Sequence, residues 1–268
     1  MVKKFVTRFY LALIFLFLHL PIIVLIVFSF NSSRLRGSFD GFSLIWYKNL
    51  FTNKAILQAL YNTLLIALLS TMISTVMGTF VAIGIHYLPR KQQNFVLNIN
   101  YIPVINPDIV TAVSLMALFK FLSLKFGLGT MLISHIVFSV PYVILNVLPK
   151  LKQLDPNLLD AALDLGASPF YAIVYVIIPQ IKTGIITGGL MAFTLSIDDF
   201  IISYFNTGHG FSNLSILIYS MAKKGINPSI NALSTIMFTV ILILVIVINK
   251  RTNIVEKKVK RKNYRRSK

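Results

Sequence analysis

The chain of 268 residues carries 26 Lys and Arg but only eight Asp and Glu, and 56% of its residues are hydrophobic. Its mean hydropathy of +0.77 is too apolar for an ordinary soluble domain of this length. The absence of cysteine excludes disulfides, thiolate metal sites and cysteine nucleophiles. Composition therefore favours an integral membrane protein.

Six apolar stretches approach the roughly 20 residues that a helix needs to cross a bilayer. None of them alternates like the strand of a membrane barrel. We therefore predict an all-α integral membrane protein with six transmembrane helices in a membrane domain of residues 1–249, followed by a basic tail. The first stretch has no small-residue cleavage site, so we interpret it as an uncleaved anchor. The predicted spans are 9–30, 63–87, 105–124, 129–148, 181–205 and 231–248.

The orientation of the spans follows from Lys and Arg in the connections. With the N-terminus in the cytoplasm, the inner segments hold more of them than the outer segments, and the tail Lys250–Lys268 decides the difference. We predict that both termini are cytoplasmic and that this tail lies near anionic lipid head groups, rather than binding nucleic acid. In the first outer segment, Trp46 and Tyr47 suggest a location at the membrane interface, with their ring faces down.

The segment that opens the third span contains two prolines four residues apart, Pro103 and Pro107. Proline removes a backbone donor, so the helix should be disrupted there. Asp108 follows at once, within or near the membrane.

The longest cytoplasmic connection, Leu151–Gly184, predicts two short helices joined by a turn. Asp155–Pro156 has the form of an N-cap followed by proline at the first helical position, and Ser168–Pro169 repeats it. Gly166 suits a left-handed stop between the two helices, and Pro179 should interrupt the second one. From the residues alone, this helix pair either braces the neighbouring spans or docks a partner.

This connection resembles the EAA loop of ABC-importer permeases, whose pattern is E-A-A, three residues, G, nine residues, then I-x-L-P. Asp160, Val176 and Ile178 stand where the pattern has Glu, Ile and Leu, and all spacings agree. The resemblance implies a type I permease fold in which this loop is the coupling helix that seats on a cytoplasmic ATPase. The matching residues are Asp160, Ala161, Ala162, Gly166, Val176, Ile178 and Pro179.

A wider resemblance to the spermidine/putrescine branch of that family rests on the strings SFNSSR, WY, PDIV, AALDLGAS and FTLSIDDFIISYFNTG. It implies a homologous second permease, two copies of an ATP-binding subunit and an extracytoplasmic polyamine-binding protein, at a bacterial inner membrane. The chain has no phosphate-binding G-x-x-x-x-G-K-[ST] loop. We therefore expect no ATPase activity, catalytic residue or cofactor of its own, since ATP would be bound by the partner subunit.

The carboxylates at membrane depth are Asp108, Asp198 and Asp199, and Tyr204 lies near the last two. Ionisable residues within spans usually face a polar interior and mark a pathway. A path for polyamines needs carboxylates for the ammonium groups and apolar or aromatic walls for the methylene spacers. We therefore predict that Asp108, Tyr204 and at least one of the adjacent pair line the solute path.

Adjacent helical positions point about 100° apart, so Asp198 and Asp199 cannot both face one line. One should face the path, while the other contacts a partner permease or caps a broken helix. The alternative is that both are polar contacts between helices. The four histidines are scattered without ligand spacing, so we interpret them as satisfied or interfacial side chains and expect no metal site.

Three transport functions remain open at this point: a polyamine permease subunit, an ABC-importer permease for another small solute, and a stand-alone secondary carrier. A non-enzymatic membrane scaffold is a further alternative. Secondary carriers typically show paired internal repeats, and no such repeat is visible in this sequence. The loop resemblance favours the permease subunit.

Overall fold

The computed structural model describes residues 2–33, 38–208, 210–223 and 228–243, and its regular elements are helices. A π-helical segment, Ile173–Ile177, joins α8 to α9. The all-α class predicted from the sequence is confirmed. The helices are α1 (Val2–Ser29), α2 (Ile45–Thr52), α3 (Lys54–Tyr87), α4 (Arg90–Ile105), α5 (Asp108–Phe121), α6 (Leu128–Leu151), α7 (Leu158–Asp164), α8 (Pro169–Ala172), α9 (Ile178–Asp198), α10 (Ile201–Asn206), α11 (Leu214–Lys223) and α12 (Ser229–Ile243).

Within the described residues, four helices are long and apolar enough to cross a membrane, and a bent pair makes up to five. The four are Val6–Ser29, Lys54–Tyr87, Leu128–Leu151 and Pro169–Asp198. The predicted sixth span, 231–248, corresponds to α12 as far as Ile243 and lies outside the described residues beyond it. The basic tail lies outside them as well.

The predicted third span is not one straight helix, because α4 and α5 meet at an angle of 103°. Asn106 and Pro107 both have extended backbone, with ψ of 144° and 138°. Proline disfavours the helical conformation of the residue that precedes it, so the break falls at Asn106. Pro103 remains inside the last turn of α4. At 14 residues, α5 extends only about 21 Å, which is less than the hydrocarbon thickness.

The predicted fifth span, 181–205, is wrong at both ends. The helix begins at Pro169 and continues through the π-helical segment to Asp198. Pro179 therefore does not interrupt it. The missing N–H of Pro179 would have bonded to the carbonyl of Tyr175, which lies within the π-helical segment, where the regular α-helical bonding pattern is already replaced.

The chain divides into two compact units, of which one comprises Met1–Leu57 and Leu217–Lys268. In that unit the buried Asn31 organises the segment after α1, since its amide nitrogen donates to Ser38 O (2.7 Å) and its amide oxygen accepts from Asp40 N (2.9 Å). Trp46 donates its indole N–H to Asn31 O at 2.6 Å and is only 4% exposed. The prediction that its ring face lies against the membrane interface is therefore wrong.

The second unit, Gln58–Ile216, is built on the pairing of α6 with α9. Val143 of α6 is fully buried between two glycines. A Cβ at Gly78 would lie 2.7 Å from Val143 Cβ, and one at Gly188 would lie 3.2 Å from Val143 Cα. Glycine at both positions lets the backbones approach closely, which is how helices in membranes gain packing energy. At the other end of α9, α10 packs against α5 and α6.

Candidate functional site

The run FTLSIDDFII contains a helix break between Asp198 and Ile201. α9 ends at Asp198, and the backbone of Asp199 is extended, with φ of −64° and ψ of 126°. Asp199 then turns its carboxylate onto the start of α10, where it accepts from the N–H of Ile202 (3.0 Å) and of Ser203 (2.7 Å). These donors have no partner inside the helix, so Asp199 caps it.

A group of buried polar side chains, here called the His135 cluster, surrounds that cap. Ser203 Oγ donates to Asp199 Oδ2 at 2.8 Å and lies 2.9 Å from His135 Nε2. On the other side of the ring, Nδ1 lies 2.7 Å from Ser196 Oγ. The cluster thus joins side chains from four helices and the segment after α10. Its members are Ser70, His135, Ser196, Ser203 and Asn213.

The two adjacent aspartates have different environments. The side chain of Asp199 is 6% exposed, and its Oδ2 lies 3.5 Å from His135 Nε2. Asp198, one residue earlier, is exposed. Asp199 therefore caps α10, whereas the carboxylate of Asp198 is exposed and free to contact a molecule outside this chain.

The other predicted path residues lie on helices next to this break. Asp108 is the first residue of α5 and is exposed. Tyr204 of α10 is 48% exposed, and its ring centroid lies 5.3 Å from that of Phe200 and 5.5 Å from that of Phe205. Since α5 packs against α10, Asp108 and Tyr204 belong to two helices in contact.

Contacts with two other helices fix the far end of α10. The amide nitrogen of Asn206 donates to Ala112 O in α5 (3.2 Å), and its backbone carbonyl accepts from Thr130 Oγ1 in α6 (2.9 Å). Gly208 follows in direct contact with backbone, since a Cβ there would clash with Phe126 O. Both ends of this six-residue helix are therefore held by tertiary contacts.

The segment around Gly166 forms a second candidate site, with the predicted helix–turn–helix. Gly166 has φ of +87°. Its N–H bonds to Leu163 O (2.8 Å) and that of Ala167 to Ala162 O (3.1 Å), which is the Schellman pattern of a helix end. Ser168 caps the next helix, accepting from Tyr171 N at 3.3 Å, with Pro169 following. The predicted turn and second cap are confirmed.

The predicted N-cap at Asp155–Pro156 is wrong, because α7 starts two residues later and Asn157 is its N-cap. Asp155 instead forms a local turn, in which its carboxylate accepts from Asn157 N at 3.0 Å. Leu158 N also bonds to Asp155 O. These bonds satisfy the same donors without extending the helix.

The surface of this connection is open and partly apolar. Asp160 and Ala161 are exposed while Ala162 is buried, and Leu165 is 89% exposed. Val176 and Ile178 are half-buried, and Pro179 is exposed. The surface carries an open pocket of about 530 Å³, lined by Ala162, Leu165, Gly166, Ala167, Ser168, Tyr171 and Val176.

Comparison with known proteins identifies the family of this chain. Residues 74–261 match the family described as binding-protein-dependent transport system inner membrane component. The chain belongs to this family. It is thus a permease, an inner membrane component with several apolar helices. The permease is 37% identical over 92% of its length to the spermidine/putrescine transport system permease protein PotC of Escherichia coli K12, and it covers 93% of that protein.

A second relative of the permease is the putrescine transport system permease protein PotI of the same strain, 34% identical over 83% of this chain and 82% of that protein. Among solved structures, a chain of a bacterial ABC transporter that imports the acidic polysaccharide alginate superposes with a TM-score of 0.70. The match covers 94% of this permease and 98% of that chain at 17% identity. That identity supports the type I importer fold alone.

Sequence reasoning missed the His135 cluster of the permease as a group. His135 was expected to be satisfied, and its two ring contacts confirm that. The signal that could have found the cluster is the occurrence of His and Asn among apolar residues at membrane depth, where polar side chains need internal partners. The residues alone could not show that these partners meet at Asp199.

Proposed function

We propose that this permease is a pore subunit of an ATP-driven polyamine importer, in which Asp198 binds the cation in transit and Asp108 and Tyr204 contribute to the same path. The identity to PotC and PotI over most of the chain supports the substrate class. The observation that carries the path assignment is the exposed carboxylate of Asp198 beside Asp199, a capping residue whose side chain is only 6% exposed.

The charge of Asp198 argues for a role in the path. A charged side chain at membrane depth costs about 2.5–3.5 kcal/mol on insertion scales. Asp199 offsets that cost through three donors, whereas the exposure of Asp198 leaves its carboxylate available to a cation. An ammonium leaving water needs such compensation where the effective dielectric is low. The rings of Phe200 and Tyr204 add an aromatic wall for the methylene spacers and a face for the cation.

The partners of the proposed importer follow from the cytoplasmic surface and from the family. The open face around Gly166 would seat one of two copies of a cytoplasmic ATP-binding subunit, with Asp160 beside it. A homologous second permease would complete the pore, and an extracytoplasmic polyamine-binding protein would deliver the solute. Both termini would be cytoplasmic in the bacterial inner membrane.

The test compares charge-removing variants in the assembled importer. Asp108→Asn and Asp198→Asn should each lower the uptake of labelled spermidine and putrescine about tenfold, because a lost charge-assisted contact weakens binding by that order, while complex yield stays normal. Asp199→Asn should lower the yield of complex, since its amide would place N–H groups against those of α10. Asp40→Asn, in the exposed segment before α2, is the control for charge removal.

Parental uptake by both Asp108→Asn and Asp198→Asn would refute the path assignment. The alternative solute is tested by ATP hydrolysis with the same parental complex. If the parental complex hydrolyses ATP in response to another small cation and not to polyamines, the family assignment stands and the substrate class is wrong.

A further inference from the structure

The hydrogen positions in the His135 cluster follow from which atoms can only donate. Ser203 Oγ donates to the carboxylate of Asp199, and Asn213 Nδ2 can only donate to Ser203 Oγ, at 2.8 Å. Because the one proton of Ser203 is used on Asp199, the contact of 2.9 Å with the ring requires a proton on His135 Nε2. The opposite tautomer would take that proton from a carboxylate, which is the stronger acceptor.

The hydrogen bonds on the other side of the ring run in the same donor-to-acceptor direction. With its proton on Nε2, the neutral imidazole accepts at Nδ1 from Ser196 Oγ (2.7 Å), which in turn accepts from Ser70 Oγ (3.0 Å). Hydrogen bonds therefore run one way, from α3 through α9, α6 and α10 to the carboxylate of Asp199. The hydroxyl protons of Ser196 and Ser203 each have one acceptor, whereas Ser70 Oγ also lies 3.3 Å from Ala67 O and shares its proton between two.

We propose that His135 is a positioning residue for solute transport, which acts by holding Asp199 as the cap of α10 so that Asp198 alone is presented. This inference rests on the proposed function for its transport consequence. The apolar run around the aspartates favours a continuous helix, and the break persists because these buried partners stabilise it. Without His135, the Ser203 and Ser196 hydroxyls would be left buried with fewer partners, at a cost that favours local rearrangement.

The first test measures the helix break directly and does not depend on uptake. The chain has no cysteine, so a single introduced thiol is the only one it carries. Ile202→Cys, at a position with 0% exposure, should resist N-ethylmaleimide in the assembled importer, while Asp198→Cys should react. Adding His135→Asn or the milder Ser196→Ala should raise labelling of the Ile202→Cys thiol about tenfold, the factor expected for one lost bond in a charged network.

Ser139→Ala is the matched control, because Ser139 is a fully buried serine of α6 whose hydroxyl has no hydrogen-bond partner among the described residues. It should leave Ile202→Cys protected. Protection unchanged in both the His135→Asn and Ser196→Ala backgrounds would overturn the proposal.

The second test separates positioning from general destabilisation with a double-mutant cycle on uptake per assembled complex. If His135 acts through Asp198, His135→Asn combined with Asp198→Asn should transport no worse than Asp198→Asn alone. Losses that multiply would mean that His135 is merely structural and would refute the positioning role. If Asp198→Asn transports at the parental rate, the assignment of Asp198 to the solute path fails, whereas the Ile202→Cys labelling still decides whether His135 holds the break.

Discussion

Gly208 offers the sharpest test of how the short helix α10 is held. Substitution by alanine adds a Cβ that would clash with Phe126 O and Phe126 C and would lie 2.9 Å from Gly127 N. All three are backbone atoms, so no side-chain rotation can relieve the contact. The φ of Gly208 lies outside the left-handed region, so the expected cost is steric and not conformational.

The size of the effect follows from the distance that must be recovered. Ordinary contact begins at 3.4 Å, so one segment must move by more than an ångström. Such a shift breaks the bond from Thr130 Oγ1 to Asn206 O, worth about 1 kcal/mol, and adds the overpacking cost of about 1–3 kcal/mol. At about 2–4 °C per kcal/mol for a chain of this size, the thermal midpoint should fall by several degrees.

The assay is thermal unfolding of the purified importer in detergent, with the fraction of intact complex at each temperature measured by size-exclusion chromatography. The matched control is Gly129→Ala, at a nearby helical glycine in α6 whose added Cβ would meet nothing within 4 Å. Alanine in a helix is favoured over glycine by about 0.5–1 kcal/mol, so this control should unfold at the parental temperature or slightly above it. Equal midpoints for Gly208→Ala and Gly129→Ala would refute the reasoning.

Two further predictions concern the cytoplasmic connection and the topology. Gly166→Val forces a β-branched residue into φ of +87°, which costs about 1–2 kcal/mol. Membrane insertion should be normal, while co-purification of the ATPase and transport-linked hydrolysis of ATP should fall. Parental values for both would contradict the docking role. Reporter fusions after residues 92 and 155 should report cytoplasm and those near residues 45 and 213 the outside, so a single inverted fusion would disprove the six-span topology.

Features that depend on neighbouring residues in the chain could be predicted from the sequence. The turn at Gly166 and the cap at Ser168 were predictable because a left-handed glycine and a Ser-Pro start act within a few residues. The uninterrupted α6 was predictable from its apolar length. Pro107 likewise indicated a disruption, although no local rule gives the angle of 103° between the two helices.

Features that depend on distant partners could not be predicted in the same way. The end of α9 at Asp198 is stabilised by His135, which is more than sixty positions away in the chain, and by Ser203 beyond the break. Helical propensity continues across that point, so the predicted span extended to residue 205. The division of roles between the two aspartates was open for the same reason, since which one is buried depends on what packs there.

The continuous helix from Pro169 to Asp198 has a consequence for how force is transmitted. Its 30 residues form a rod of about 45 Å, which begins just after the turn at Gly166 and ends at the exposed Asp198. Successive residues of an α-helix are rotated by about 100° around its axis. The wider turn at Ile173–Ile177 changes this rotation once, and so shifts the direction of every side chain that follows. Deleting a single residue there would rotate one end of the rod against the other, so Asp198 would point in a different direction while the end at Pro169 kept its position.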